Sequence, residues 1–290
     1  MKPPLSRIVR TCALSLFVAA VTSLLAASPL LAQDEASLEA AQTEESRSQA
    51  DLAKQIQNPL ASVVTLPFQV NWNQNVGEFE RTVANLNFQP VIPFPGEEWN
   101  LVSRSIIPYL SVPIGPEAAQ TGFGDLTTML FASPAKPSAV IWGVGPALVL
   151  PTSSNPERLG SGKVSVGPAA VLFWGPGNWT LGAVVWQVWS VAGQADRESV
   201  SALAGQWFIN YNLGKGWVLG TAPIIACDWK APSGEECTIP WGGQISKVLA
   251  FGSRPVNLLV GYYKNSDHPE GGSEAQVRFQ INLLYPMAPK

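Results

Sequence analysis

The sequence predicts an all-β protein: a twelve-stranded antiparallel transmembrane up-and-down barrel behind a short polar or helical N-terminal segment. Three observations predict it. First, residues 275–285 alternate, with Ala275, Val277, Phe279, Ile281, Leu283 and Tyr285 on one face and Gln276, Arg278, Gln280 and Asn282 on the other. Successive side chains of a strand point to opposite sides, and an arginine with three amides suits a barrel's polar interior better than the core of a soluble sandwich. Second, only 13% of residues are charged and 46% are hydrophobic, alongside 25 glycines and 25 prolines. That is too little charge for an ordinary wetted surface and too many breakers for membrane-spanning helices. Third, the connections between strand-like stretches alternate between tight and long, as they do in outer-membrane barrels.

The amino end reads as a secretory signal peptide over residues 1–32. Lys2, Arg7 and Arg10 precede an apolar run from Cys12 to about Ala27, and small residues lead to a cut after Ala32. Removing those three cations takes the net charge from −3 to −6, with no basic block of the kind that binds nucleic acid. Residues 33–62, rich in Ala, Glu, Gln and Ser, read as a periplasmic segment, disordered or a short helix over 51–56 stopped by Asn58-Pro59. Beyond the signal no run of 18 apolar residues occurs, so no spanning helix is expected.

The barrel is expected over 63–290. Its first strand sets Val64, Leu66, Phe68, Val70 and Trp72 against Thr65, Gln69, Asn71 and Asn73. The second sets Ala84, Leu86, Phe88, Pro90 and Ile92 against Asn85, Asn87 and Gln89. Further strands fall near 99–112, 122–133, 138–150, 163–174, 178–190, 199–213, 216–229, 238–250, 255–265 and 274–285. In 178–190 both faces are apolar, and the pattern does not say which meets lipid. Tight turns at 95–98, 135–137, 175–178, 214–216 and 252–255 carry Gly, Pro, Asn and Ser. Longer loops fall at about 74–81, 113–121, 151–162, 191–198, 230–237 and 266–273. Aromatic residues gather at both ends of the strands, as in the girdles of membrane barrels. Phe94, Trp99, Trp142, Trp174, Trp179, Trp217, Phe251 and Tyr285 lie toward the tight turns, and Trp72, Tyr109, Trp189, Trp229, Trp241 and Tyr262 toward the long loops. Prolines 67, 90, 108, 146, 168 and 223 fall inside these strands, where each removes a ladder donor, so bulges or bends are expected there.

Catalytic and metal signals are weak. His268 is the single histidine; a lone loop histidine without a Gly-x-Ser-x-Gly elbow does not make a Ser–His hydrolase, and no enzyme is expected. Cys227 and Cys237 flank one loop and are either bridged in an oxidising compartment or two free thiols. With one distant histidine they form no zinc site, and neither metal nor cofactor is expected. Leu159-Gly160-Ser161-Gly162-Lys163 lacks the full phosphate-loop pattern. What remains is the inner wall: Gln69, Asn71, Asn85, Asn87, Gln89, Arg104, Gln206, Asn210, Gln244, Gln276, Arg278, Gln280 and Asn282 are the expected pore-lining residues. Gly143, Gly145, Ser165 and Gly167 are expected to leave room beside them. Arg104 and Arg278 would favour anions; alternatively, these groups satisfy one another and fill the barrel.

Asp51–Ala61, Asn87–Pro93, Gly122–Asp125, Trp142–Pro146 and Trp189–Gly193 together resemble a bacterial outer-membrane family related to the meta-pathway phenol-degradation proteins, often labelled transporters or "neuromedin U". The likeness runs from about Asp51 to the end. It implies an outer-membrane channel or transporter for small solutes, aromatic or hydrophobic ones among them, and it carries over no catalytic residue. Pro286 and the tail that follows depart from a barrel ending directly on an aromatic. The surroundings implied are membrane lipids, lipopolysaccharide and the barrel-assembly machinery of a Gram-negative-type envelope. The competing reading is a closed barrel whose loops do the work.

Overall fold

The computed structural model describes Leu60 and residues 63–136, 138–251 and 254–286, all within one compact unit, Gln49–Lys290. The expectations for the signal peptide, for the N-terminal segment apart from Leu60, and for the last four residues lie outside them.

Among the described residues the chain forms fifteen strand segments. They are β1 (Val63–Val76), β2 (Arg81–Phe88), β3 (Val91–Phe94), β4 (Trp99–Pro113), β5 (Ala119–Phe123), β6 (Leu126–Pro134), β7 (Val140–Leu150), β8 (Lys163–Trp174), β9 (Trp179–Gly193), β10 (Ser201–Gly214), β11 (Trp217–Thr221), β12 (Ile224–Asp228), β13 (Cys237–Phe251), β14 (Arg254–Asp267) and β15 (Ala275–Pro286). Three pairs, β2/β3, β5/β6 and β11/β12, each run along the same neighbours and make one stave. Twelve antiparallel staves result. Each pairs with the next, and β15 pairs with β1 from Val63↔Pro286 to Gln74↔Ala275, which closes the circle.

The strand prolines account for two of the interruptions. The β2/β3 stave breaks at Gln89-Pro90 and the β11/β12 stave at Ala222-Pro223. Register is unchanged across both: Phe68↔Phe88 continues as Thr65↔Val91, and Ile209↔Thr221 as Gln206↔Ile224. At Pro90 the neighbouring ladder repairs itself, Gln89 N–H bonding the Pro67 carbonyl at 2.9 Å and Ser105 N–H the Pro90 carbonyl at 3.0 Å. The third interruption, Gly124-Asp125, is a true bulge: three steps along β4 from Tyr109 to Ile106 face four from Phe123 to Thr127. Pro108 sits beside it and its carbonyl takes the Gly124 N–H at 2.9 Å. Pro146 and Pro168 are register partners, so two missing donors fall at one rung.

The outer surface is the apolar belt that alternation demands. Phe68, Leu86, Leu130, Val144, Leu172, Val185, Ile209, Leu219, Ile245 and Val260 all face outward and are exposed. At the tight-turn end Phe94, Trp99, Trp142, Trp174, Trp179, Trp217 and Tyr285 are exposed, and at the long-loop end Trp72, Tyr109, Trp189, Trp229, Trp241 and Tyr262. Lys247 Nζ lies 5.1 Å above the Trp217 ring, a cation held at the interface by its stem. Strand β9 settles the ambiguous face: Thr180, Val184 and Val188 are buried inside while Val185 and Trp189 look out.

At the long-loop end one carboxylate pins the longest loop. Asp125, in the bulge, accepts hydrogen bonds from Ser153 N–H (3.3 Å), Ser161 N–H (2.7 Å) and Ser161 Oγ (2.8 Å). Arg197 donates to the Gly160 and Ser161 carbonyls from the next loop, and Leu159 is buried beneath. The Gly122–Asp125 and Leu159–Lys163 stretches of the sequence are thus two halves of one anchor. Hydrogen bonds to a charged group contribute about 1.5–3 kcal/mol each. Replacing Asp125 by Ala is therefore expected to raise proteolytic cleavage within 151–162 by about thirtyfold, for a loss of about 2 kcal/mol of local stability. The barrel's own heat-modifiable migration should not change.

Cys227 and Cys237 are direct register partners, and their sulfur atoms are bonded across the ten-residue separation. Mass spectrometry after alkylation without reductant is expected to find both cysteines unmodified, and reduction should expose them together.

Candidate functional site

The inward faces divide into two arcs. On β4 and β6–β9 they are mostly apolar, apart from Arg104, Ser133, Ser165 and Thr180: Val102, Met129, Phe131, Ala147, Ala169, Val171, Val184 and Val188 are buried as one cluster, which Leu60 joins from ahead of β1. On β1, the β2/β3 stave, β10 and β13–β15 they are mostly amides and hydroxyls, with Gln69, Asn71, Gln89, Asn210, Ser246, Asn257, Arg278 and Asn282 all buried. The amides expected on the inner wall lie in this second arc, while the strands between β4 and β10 turn mostly hydrocarbon inward. The expectation for the small residues is corrected. A Cβ on Gly145 would lie 1.8 Å from the Leu130 carbonyl oxygen and one on Gly167 1.9 Å from that of Gln187, while Gly143 is crowded by Phe131 and Val171. These positions admit neighbouring backbone and side chains, and together with Ser165 none of them borders the open space.

That space is a cavity of about 170 Å³ bordered mainly by the polar arc; of the apolar cluster Val184 alone reaches it, and Val63, Val91, Phe208, Val218 and Leu259 supply most of the rest of its hydrocarbon lining. Of the expected pore-lining residues, Gln69, Gln89, Arg104, Gln206, Asn210, Gln244, Arg278, Gln280 and Asn282 border it. Asn71, Asn85, Asn87 and Gln276 do not. Asn71 is buried behind it in the hydrogen-bond network, Asn85 Oδ1 accepts the Ser111 N–H at 2.9 Å, Asn87 is the register partner of Gln69 and Pro108, and Gln276 lies further toward the long loops, opposite Asn73 and Tyr263.

A relay of amides joins the two arginines. Arg104 Nη2 donates to Gln89 Oε1 (3.1 Å), Gln89 Nε2 to Gln69 Oε1 (3.3 Å) and Gln69 Nε2 to Asn71 Oδ1 (3.2 Å). Asn71 Oδ1 also accepts from Arg278 Nε at 3.3 Å. From Arg278 the network continues across the interior to the proline break in the β11/β12 stave. There the Ala222 carbonyl accepts Arg278 Nη1 (2.8 Å) and Gln206 Nε2 (3.1 Å). The Ala222 N–H donates to Tyr263 Oη at 3.0 Å, and the Tyr263 hydroxyl donates to Gln244 Oε1 at 2.9 Å. The Tyr263 ring lies under the guanidinium, 4.6 Å from Cζ to its centroid.

Two members of this network, Tyr263 and Ala222, and one residue of the cavity wall, Asn257, escaped the sequence reading. Tyr263 is indistinguishable by type from the girdle residue Tyr262 beside it; only strand parity separates them. Ala222 contributes backbone groups, which no side-chain pattern reveals, although Pro223 marks the place. Asn257 stands opposite Asn282 on β14, on a strand whose two faces are both mixed.

Chemically, the site offers two permanent cations and many dipoles. No Asp or Glu occupies any strand segment except the terminal Asp228 and Asp267, and among the described residues neither luminal arginine forms an ion pair. No group of His, Cys, Asp and Glu among them could hold a metal ion. His268 lies in the β14–β15 loop with Nδ1 3.0 Å from the Pro269 carbonyl oxygen, and among the described residues no hydroxyl bonds it.

In fold, the chain is similar to an outer membrane channel from Pseudomonas putida F1, with a TM-score of 0.55 and 12% identity over 77% of this chain and 94% of that one. Looser likenesses, too distant to bear on function, are to the NanC porin (TM-score 0.47, 9% identity, 77% and 100% covered) and to outer membrane phospholipase A of Escherichia coli (TM-score 0.43, 13% identity, 77% and 95% covered). No curated protein sequence matches the chain. The profile of one family, described as "Putative MetA-pathway of phenol degradation", matches residues 54–223. That match takes in more than half of the chain, and the protein belongs to this family.

Proposed function

We propose that the protein is an outer-membrane channel through which small solutes pass passively, with its tight turns in the periplasm and its long loops outside. The observation that carries this reading is the luminal cavity bordered by two arginines, within a barrel whose spanning segments hold no carboxylate away from their ends. Ionisable groups at membrane depth are expensive, and where they persist they mark solute pathways. Val63, Val91, Val184, Phe208, Val218 and Leu259 give aromatic or otherwise hydrophobic solutes apolar surface on the cavity wall. The name of the family and the channel from Pseudomonas putida F1 support the same reading. On this reading the aromatic girdles contact membrane lipids and lipopolysaccharide, and the closed sheet is inserted by the barrel-assembly machinery after a cleaved signal directs export.

The reading is tested by single-channel conductance of the refolded barrel in a planar bilayer. Discrete steps with a preference for anions are expected. In Arg104→Gln/Arg278→Gln the preference should fall about fivefold, on the order of 1 kcal/mol for the lost charges in a partly aqueous lumen. A correctly folded barrel that never conducts would sink the passive channel and leave the loops, pinned as they are by Asp125, as the working surface.

A further inference from the structure

Arg278 is 1% exposed and borders the cavity, yet its Nη2 has no hydrogen-bond partner. Its other bonded groups go to neutral acceptors, Asn71 and the Ala222 carbonyl. A guanidinium carries five donors and never sheds its charge, and burying such a charge without a counter-ion costs several kcal/mol. Arg104, only partly buried, likewise meets no carboxylate and bonds only the Gln89 amide oxygen among the described residues. The amide relay between the two fixes both cations relative to one another, but amides supply dipoles and no negative charge. Among the described residues the positive charge beside the cavity is uncompensated, and the spanning segments carry no carboxylate to meet it.

The rest of the lining decides what kind of anion. Val184, Phe208 and Leu259 border the same space, so a fully hydrated inorganic ion would leave half of the wall facing polar groups it cannot match. The volume, about 170 Å³, is below the roughly 300–1,000 Å³ of pockets for drug-sized ligands, which restricts the occupant to a small molecule. We propose, resting on the channel reading above, that the lumen contains a binding site for a small organic monocarboxylate. Its carboxylate neutralises Arg278 and Arg104, and its hydrocarbon body lies against Val184, Phe208 and Leu259. The partly buried Arg104 can present to it the guanidinium fork that matches a carboxylate in geometry as well as charge, while Arg278, enclosed by its protein partners, contributes its charge from the wall.

The test is equilibrium binding to the refolded full-length barrel in an uncharged detergent, by titration calorimetry. Benzoate supplies charge and body, benzyl alcohol the body alone, and acetate and inorganic phosphate the charge alone. Benzoate is expected to bind saturably and at least about tenfold more tightly than the other three, since each lacks one of the two contributions, worth on the order of 1.4 kcal/mol. Arg278→Gln, with its folding verified by heat-modifiable migration, should lose about tenfold in benzoate affinity, and Arg104→Gln should lose part of it. Benzyl alcohol binding as tightly as benzoate would overturn the proposal, as would a phosphate affinity equal to that for benzoate. Wild-type affinity in folded Arg278→Gln would overturn it too. The comparison among the four probes needs no variant and stands if Arg278→Gln fails to fold. Saturable benzoate binding by a barrel that never conducts would refute the channel and leave this site intact; conduction without benzoate binding would do the reverse.

Discussion

Every backbone N–H and C=O at membrane depth must find a partner within the protein, because hydrocarbon offers none. In a sheet that requirement is met only by closure, and closure here rests on the seam between β1 and β15. Twelve consecutive register partners join the first strand to the last, 199 residues apart in sequence at Asn75 and Glu274, whose side chains also bond at the loop end. Once the seam fixes the register, alternation fixes everything else. Phe68, Val70 and Trp72 must face lipid, and Gln69 and Asn71 must face in.

The same requirement then acts on the interior. A lumen this narrow strips water from the side chains that line it, so the inward amides and arginines have to satisfy one another. The relay from Arg104 through Gln89, Gln69 and Asn71 to Arg278 does so along four adjacent staves. Where a proline breaks a stave, the freed peptide is drawn into the network and not left as a defect. At Pro223 the flanking Ala222 presents its carbonyl to Arg278 and Gln206 and its N–H to Tyr263. The sheet's own irregularity thereby supplies the acceptor that holds a buried cation in place.

The sequence makes the staves, their tight turns and the lipid-facing girdles legible because those depend on local rules: period-two alternation, turn chemistry and the preference of aromatic rings for interfaces. The expected strands near 99–112, 163–174 and 274–285 coincide closely with β4, β8 and β15. The lumen is only partly legible. Most of the named inward amides do border the cavity, since parity alone places them. The apolar arc was not legible, because strands such as β9, with Val184 and Val188 inside and Val185 and Trp189 outside, are greasy on both faces and give alternation nothing to report. The roles of Gly145 and Gly167 were read the wrong way for a related reason. A glycine on an inward face looks like empty volume until the neighbouring strand's carbonyl is seen lying against it.

The two arcs give the interior an asymmetry that neither a porin-like polar lumen nor a fully packed barrel would have. A packed barrel would pair its buried arginines with carboxylates, because an unpaired charge is the costliest group an interior can hold. An open aqueous pore would have no reason to set Val184, Phe208 and Leu259 on the wall of its cavity, since water gains nothing from them. The proposed occupant, charged at one end and apolar along its length, would meet both features: the cations attract and orient its charged end, and Val184, Phe208 and Leu259 take its hydrocarbon from water. Because each contribution is modest alone, neither would hold such a solute too tightly to leave, a condition that the proposed channel has to meet if it also selects.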